Sequence, residues 1–184
     1  MKFTSRLCAC LVISICIFCL SGKEAHLFDP SSDVYESQPV PLLSTLIRTS
    51  DAILYGSVGS VIQEYHTGKR VRNGELVNTL QKIQVLQSFK GRATRPIELI
   101  TTGVEPMPRP SDPLNQRFPG ALAEGQYIFF LKKIPGSSLY QLNGGPQGFY
   151  PLINGRTISL YGTGFQTLNQ RTVAEFWRVL HAFQ

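Results

Sequence analysis

Histidines and carboxylates, the side chains best suited to catalysis, are few and dispersed in this sequence. The 184-residue chain has three histidines, His26, His66 and His181, and 12 Asp and Glu residues. A catalytic zinc site needs three protein ligands, often histidines, and the chain contains no HExxH motif and no paired CxxC motif. Only His66 falls within the body of the predicted domain. The sequence therefore predicts no metal site and no cofactor.

Nucleophiles and acids give no recognisable catalytic arrangement either. A serine hydrolase places its nucleophile in a G-x-S-x-G turn, and the segment GSVGS at residues 56–60 does not have that spacing. Acids on different predicted elements leave open a glycosidase pair that folding would bring together. These acids are Glu64, Glu75, Glu98, Glu105, Asp112 and Glu124. We expect a protein that is not an enzyme, with an envelope polysaccharide hydrolase using two carboxylates as the alternative.

The stretch QLNGGPQGFY, residues 141–150, raises the question of a phosphate-binding loop. Such a loop directs backbone N–H groups at the anion, usually where a helix follows a strand. GGPQG matches neither GxGxxG nor GxxxxGK[ST], and the aromatic and β-branched residues that follow are typical of a strand. We interpret the stretch as a turn that uses the conformational freedom of glycine and the fixed φ of proline.

The segment 67–74 is the first candidate for a binding surface. It has three basic residues beside an Asn-Gly hairpin signal, namely Lys69, Arg70 and Arg72. Three further basic residues follow the next strand and would join the same patch if the two loops were neighbours. They are Lys90, Arg92 and Arg95. The alternative is that both groups lie at solvated loop tips.

The second candidate is the segment 104–120, which we call the Pro-rich loop. Residues 103–125 contain five prolines, and a segment of this length without regular structure is often functional. Arg109 and Arg117 are the basic residues of the loop. We expect both to contribute to a contact surface.

An apolar block near the start of the chain indicates export. Lys2 and Arg6 precede LCACLVISICIFCL, an uncharged run of 14 residues that is short for a bilayer span and is followed by small residues. We interpret residues 1–22 as a signal peptide, with an uncleaved anchor as the alternative, and expect a secreted or periplasmic protein without a stable membrane span after cleavage. All four cysteines lie in this block, so the mature chain would fold without disulfides.

The remaining chain is predicted to be one mainly β domain. Residues 23–40 lack periodicity and predict a flexible arm. Residues 41–184 suffice for a single core, beginning with a short helix in PLLSTLIRTSD. Strands are expected at about 52–65, 77–89, 96–102 and 126–133, and then in SSLYQL, FYPLI and RTISLYG.

The end of the chain predicts an amphipathic helix. Thr172 and Glu175 have the T-x-x-E spacing of a capping box, and the apolar residues that follow recur on one face. We expect this face to dock on the protein's own sheet. The short strands, hairpin turns and few helices together favour an OB-like five-stranded barrel with extra strands, a short N-terminal helix and a C-terminal amphipathic helix.

Four segments carry a resemblance to known proteins. TSDAILYGSV, QSFKG, EGQYIFFLKK and LYQLNGGPQGFYPLING, in this order before a short helix, resemble segments of exported bacterial proteins of unassigned function. The likeness covers about residues 42–183. Such domains are similar to the OB-like barrel of netrin-like and metalloprotease-inhibitor modules, which is an analogy of fold. Tissue inhibitors bind the target's zinc through an N-terminal cysteine, a mechanism that a mature chain without cysteine cannot use.

Charge and composition narrow the class of partner. The formal net charge of +6 falls to +4 without Lys2 and Arg6, because 16 basic and 12 acidic side chains remain. Nucleic-acid binders usually concentrate positive charge more strongly, so we expect no nucleic acid partner. We predict a non-enzymatic exported interaction module that binds a protein partner, such as a protease, or a cell-envelope component. A protease inhibitor acting through residues 23–40 is a further alternative, and the oligomeric state stays open.

Overall fold

The computed structural model describes residues 28–72, 74–92, 95–160 and 162–183, and it contains a seven-stranded sheet. The strands are β1 (Ala52–Val71), β2 (Gly74–Lys90), β3 (Ile97–Glu105), β4 (Gly125–Lys133), β5 (Tyr140–Leu142), β6 (Phe149–Ile153) and β7 (Arg156–Thr157). The helices are α1 (Leu43–Thr49), α2 (Leu114–Arg117) and α3 (Val173–His181). The predicted signal peptide lies outside the described residues. Within them, no helix has the length and apolar character needed to cross a membrane.

Five of the strands close a ring. β1 pairs with β2, β2 with β3, and β4 with both β5 and β1, all antiparallel. The ring is completed by one parallel contact, between Leu99 of β3 and Tyr140 of β5. β6 pairs with β4 beside this ring and carries β7 on its other edge. The predicted mainly β class, with short helices near both ends of the domain, is confirmed.

β4 is buried on both of its faces. Phe129 and Leu131 pack into the cluster enclosed by the ring, whereas Ile128 and Phe130 pack into a second cluster beneath α1 and α3. All four side chains are 0 % exposed. Each such side chain contributes about 1.5–3 kcal/mol by leaving water. A strand buried on both faces has no polar alternation, which is why YIFFL, residues 127–131, is continuously apolar.

Helices α1 and α3 cover the outer core. Leu46 of α1 and Phe176 of α3 are both 0 % exposed and belong to the same cluster as Phe130. The predicted capping box is confirmed, because Thr172 Oγ1 accepts from the Glu175 amide at 3.2 Å and Glu175 Oε2 accepts from the Thr172 amide at 2.8 Å. These hydrogen bonds hold the pKa of Glu175 below its ordinary value. The expected docking of α3 on its own sheet is confirmed.

The first hairpin is longer than the sequence suggests. β1 continues to Val71, well beyond the predicted end near residue 65, and pairs with β2 almost to the tip. Register shifts at 58–63 and 66–70 mark bulges, and Gly68 has φ +68°. Bulges add residues on one strand and increase twist, so a 20-residue strand can leave the ring and still stay paired. The segment QEYHTGK is mostly polar, so the sequence pattern does not predict that the strand continues.

Residues 28–40, which we call the strap, cross the outer face of β2 and β3. Asn78 Nδ2 donates to the carbonyls of Pro30 and Asp33 at 2.7 and 2.6 Å, and the amide of Tyr35 donates to Thr102 Oγ1 at 3.0 Å. The strap is part of the flexible arm predicted for residues 23–40, of which residues 23–27 lie outside the described part. Backbone groups make these contacts, and they leave no periodic pattern in a sequence.

The GGPQG segment receives the end of the strap. The turn prediction is confirmed, since Gly145–Gly148 form a short 3-10 turn preceded by Gly144 at φ +77°. Gln147 Oε1 accepts from the amide of Val40 at 2.6 Å. A Cβ built at Gly145 would lie 2.3 Å from the Ser37 side chain. Glycine is thus required there by both φ and the close approach of the strap.

The outer core predicts a strong effect of shortening Phe176. Phe176→Ala leaves a cavity among Phe89, Phe130 and Tyr150, whose rings lie 6.0–6.2 Å from that of Phe176. We expect the free energy of unfolding to fall by about 3–5 kcal/mol, measured by urea denaturation. Phe183→Ala is the matched control, because Phe183 is 47 % exposed and its loss should cost less than about 1 kcal/mol. Equal losses from the two variants would contradict the assigned core.

Candidate binding groove

An open groove lies between the Pro-rich loop and the sheet. Its floor includes Val77 and Thr79 of β2 and Gly103 of β3, and Glu64 of β1 lies at its margin. The opposing wall is built from the loop, mainly by Pro106, Met107, Pro108, Pro110, Phe118 and Pro119. The groove volume is about 810 Å³. This is within the range of about 300–1,000 Å³ that is usual for ligand sites.

Apolar packing fixes the middle of the Pro-rich loop. The sequence predicts no regular structure here, but Leu114–Arg117 form the short helix α2. Leu114 and Phe118 are 8 % and 4 % exposed, and they pack with Leu76 and Val104 on the sheet. The loop is therefore an anchored wall of the groove.

Three hydrogen bonds hold the returning end of the loop. The amide of Gly120 donates to the carbonyl of Thr102 at 2.9 Å, and a Cβ built at Gly103 would lie 2.8 Å from the Cα of Gly120. Gln81, 1 % exposed, exchanges two hydrogen bonds of 2.8 Å with the backbone of Leu122. The side chain of Gln81 thus behaves like a piece of backbone and fixes where the loop rejoins the sheet.

The rim of the groove carries an unusually exposed apolar side chain. Met107 is 88 % exposed and lies between Pro106 and Pro108. Single exposed apolar residues are common, but methionine is a flexible and adaptable side chain that is frequent at binding surfaces. Prolines on both sides restrict the backbone that presents it.

The charged side chains of the groove are acidic. Among the described residues that line it, only Glu64 and Glu105 carry charge. Neither forms an ion pair with another described residue. The register pairs Glu64 with Thr79 and Glu105 with Glu75, so the two acids are offset by four β2 residues, about 13 Å along the strands.

The hairpin segment 67–74, with its predicted basic residues, lies beside the Pro-rich loop at one end of the groove. A smaller pocket of about 300 Å³ is lined by Arg70, Arg72 and Glu75, and it shares Glu105 and Pro106 with the groove. Nη1 of Arg72 lies 3.6 Å from Oδ2 of Asp112 in the loop. Two segments that the sequence predicts separately as contact surfaces thus lie side by side.

The other predicted binding residues have different positions. Lys69 is exposed at the bulge near the hairpin tip and lines neither pocket. Arg109 is exposed on the Pro-rich loop. Arg117 binds the strap, because its Nε donates to Glu36 Oε1 at 2.7 Å. This bond lowers the pKa of the Glu36 carboxyl and raises that of the Arg117 guanidinium.

The two basic loops do not form a joint patch. Arg70 pairs with Glu75 at one end of the first hairpin, whereas Lys90 pairs with Ile53 at the other end. Nζ of Lys90 donates to the carbonyls of Ile47 and Arg48 at 2.8 and 3.0 Å, where α1 ends. Lys90 therefore stabilises a helix terminus, as cations at the C-terminal end of a helix do.

Sequence reasoning missed the roles of Gln81, Met107 and Glu64. The PMP triplet at 106–108 was a visible signal for an exposed methionine. Gln81 had none, because its partners are backbone atoms more than 20 residues away. Within the described part of the chain, no three His, Cys, Asp or Glu side chains are grouped so that they could hold a metal ion.

Comparisons with known proteins do not assign this groove. No protein-family model matches the chain, and no curated protein matches it. The resemblance to exported bacterial proteins therefore stays a prediction.

The tie between strap and loop predicts a pH dependence. Arg117 lowers the pKa of Glu36 in the folded protein. The ion pair therefore stabilises the contact between strap and loop above the ordinary pKa of 4.5, and this stabilisation is lost as the pH falls through the lowered pKa. We expect the amide protection of Ser37, which donates to the Arg117 carbonyl at 2.9 Å, to fall as the pH drops below about 4.5. Hydrogen exchange corrected for intrinsic rates measures this.

Two variants test the cause of that pH dependence. In Glu36→Gln the protection should already be reduced at neutral pH and should change little on acidification. Arg109→Gln is the matched control, because it removes a loop arginine that lies outside the strap tie and should leave the profile unchanged. An unaltered profile in Glu36→Gln would contradict the assignment.

Proposed function

We propose that this protein is a non-enzymatic exported interaction module that binds a protein partner through the groove beside the Pro-rich loop. One observation carries the proposal. The hairpin 67–74 and the Pro-rich loop, whose compositions are unusual for separate reasons, line two adjoining pockets that share Glu105 and Pro106, and the 88 % exposed Met107 lines the larger one.

The construction of the groove supports binding. Its wall combines prolines with an anchored helix, so little conformational entropy is lost when a partner orders it. The exposed methionine supplies an adaptable apolar contact, and Arg70 and Arg72 supply a charged rim. An apolar centre with a polar rim is the usual anatomy of protein interfaces.

The proposed fold is OB-like. A five-strand ring sealed by one parallel contact fits the partly open five-stranded barrel of that class. The apolar block behind Lys2 and Arg6 supports export, with residues 1–22 as signal peptide and a secreted or periplasmic location.

The test is partner capture by the tagged, purified protein and two variants. Met107→Asp places a charge on the proposed contact and should reduce retention of the partner at least about tenfold, because an unpaired charge would be desolvated on binding. Ile153→Asp is the matched control, since Ile153 is also an exposed apolar residue, 58 % exposed, but lies on β6. Quantitative mass spectrometry of the retained proteins gives the ratio. Equal capture by wild type and Met107→Asp, or no stoichiometric protein at all, would contradict the proposal.

A polysaccharide hydrolase is the second candidate, and one observation favours it. Glu75 and Glu105 are direct partners in the β2–β3 register and line the same small pocket. Directly opposite residues place their Cβ atoms about 5 Å apart. Retaining glycosidases hold their two carboxyl groups at about that separation. Against this candidate, Glu75 Oε1 already lies 3.5 Å from His66 Nδ1 and accepts from the Gly68 amide at 3.3 Å.

A glycan-cleavage assay separates the two candidates. A hydrolase would release reducing ends from envelope polysaccharide, and Glu105→Gln would lower the rate by a factor of about 100 or more. Glu124→Gln removes an exposed acid outside both pockets and is the control. We expect no release by any of the three proteins. Cleavage lost specifically in Glu105→Gln would overturn the non-enzymatic proposal.

A further inference from the structure

The charge of the groove is opposite to that of the protein. The chain carries a formal net charge of +6, yet the charged side chains among the described lining residues are Glu64 and Glu105. Both are exposed and have no ion-pair partner among the described residues. The lining of the groove is therefore locally negative and attracts cations, while Arg70 and Arg72 line the adjoining small pocket that shares Glu105.

The side chains of the groove favour a peptide over a glycan or a nucleic acid. Single-stranded nucleic acids, and other ligands with flat faces, are bound by exposed aromatic platforms. Phe118 is the one aromatic residue among the described lining residues, and at 4 % exposure it is committed to packing on the sheet. The apolar contacts are aliphatic, from Met107, Val77 and the prolines, and Thr79 and Asn115 add polar groups.

The positions of the two acids set the spacing of the groups they would bind. Thr79 and Glu75, their register partners on β2, are four residues apart. An extended segment rises about 3.3 Å per residue, so one lying over β2 covers the same distance of about 13 Å in four residues. Across the sheet, β1 with Glu64 and β3 with Glu105 lie about 10 Å apart. A segment lying over β2 is midway between them, and a long basic side chain can reach about half of that distance to either acid.

We propose that the groove binds an extended peptide segment of the partner with apolar residues and two basic residues about four positions apart, which pair with Glu64 and Glu105. The inference rests on the proposed function and adds the chemistry of the bound segment. The apolar residues pack between Met107 and the floor at Val77.

The test uses fluorescence anisotropy with three labelled peptides of equal length and otherwise identical apolar sequence. One has two lysines four positions apart, the second has two adjacent lysines, and the third has glutamates in place of the spaced lysines. The spaced-lysine peptide should bind about two- to fivefold more tightly than its isomer and about tenfold more tightly than the glutamate peptide. The preference over the glutamate peptide should shrink as salt is raised.

Variants of the full protein assign the effect to the two acids. Glu64→Gln and Glu105→Gln should each weaken binding of the spaced-lysine peptide about two- to fivefold. Glu124→Gln makes the same change in net charge outside the groove and should leave binding unchanged. Equal binding of the three peptides, tighter binding of the glutamate peptide, no binding, or unchanged affinity in both groove variants would overturn the inference.

Partner capture keeps this inference separate from the proposed function. If Met107→Asp loses the partner while the double variant Glu64→Gln, Glu105→Gln retains it, the groove binds a partner of different chemistry and only the inference is wrong. If Met107→Asp also retains the partner, the proposed function itself fails.

Discussion

The burial of β4 on both faces is the constraint on which the remaining structure depends. Its two sets of side chains require two apolar layers, one inside the ring and one beneath α1 and α3. The strand also pairs with β1 on one edge and with β5 and β6 on the other. A strand that is paired on both edges and buried on both faces tolerates little displacement. The ring, the outer helices and the position of the GGPQG turn follow from it.

Buried amides extend this rigid centre to the surface segments. Gln81 holds the end of the Pro-rich loop, Asn78 holds the strap, and Nδ2 of Asn143 donates to Thr49 Oγ1 and Ser50 Oγ, both at 2.9 Å, beside the end of α1. Among the described residues, every buried side-chain nitrogen and oxygen has a hydrogen-bond partner. Each of these side-chain amides supplies hydrogen bonds of the kind that a neighbouring strand would otherwise supply. The loop and strap are thereby positioned without regular secondary structure, which gives the groove a defined wall.

The proposed binding groove lies where β1, β2 and β3 extend beyond the ring. Beyond Val58, β1 no longer pairs with β4, and the extension of β1, β2 and β3 provides a floor that the ring itself does not use. Such an extension is stabilised by the Pro-rich loop on one side and by bulges in β1, which also discourage pairing of its free edge with other chains. A binding surface can thus be carried on the fold without disturbing its core.

The sequence by itself determined the elements whose cause is local. The T-x-x-E capping box, the glycine and proline turn and the continuous apolar run of β4 each depend on neighbouring residues, and all three were predicted correctly. Tertiary structure alone decided the site. Glu64 and Glu105 are distant in sequence and share the groove only through their registers with β2, while Lys90 and Arg70 are separated by the length of the hairpin. Register and backbone-mediated anchoring depend on the closed sheet, and neither leaves a periodic signal in the chain.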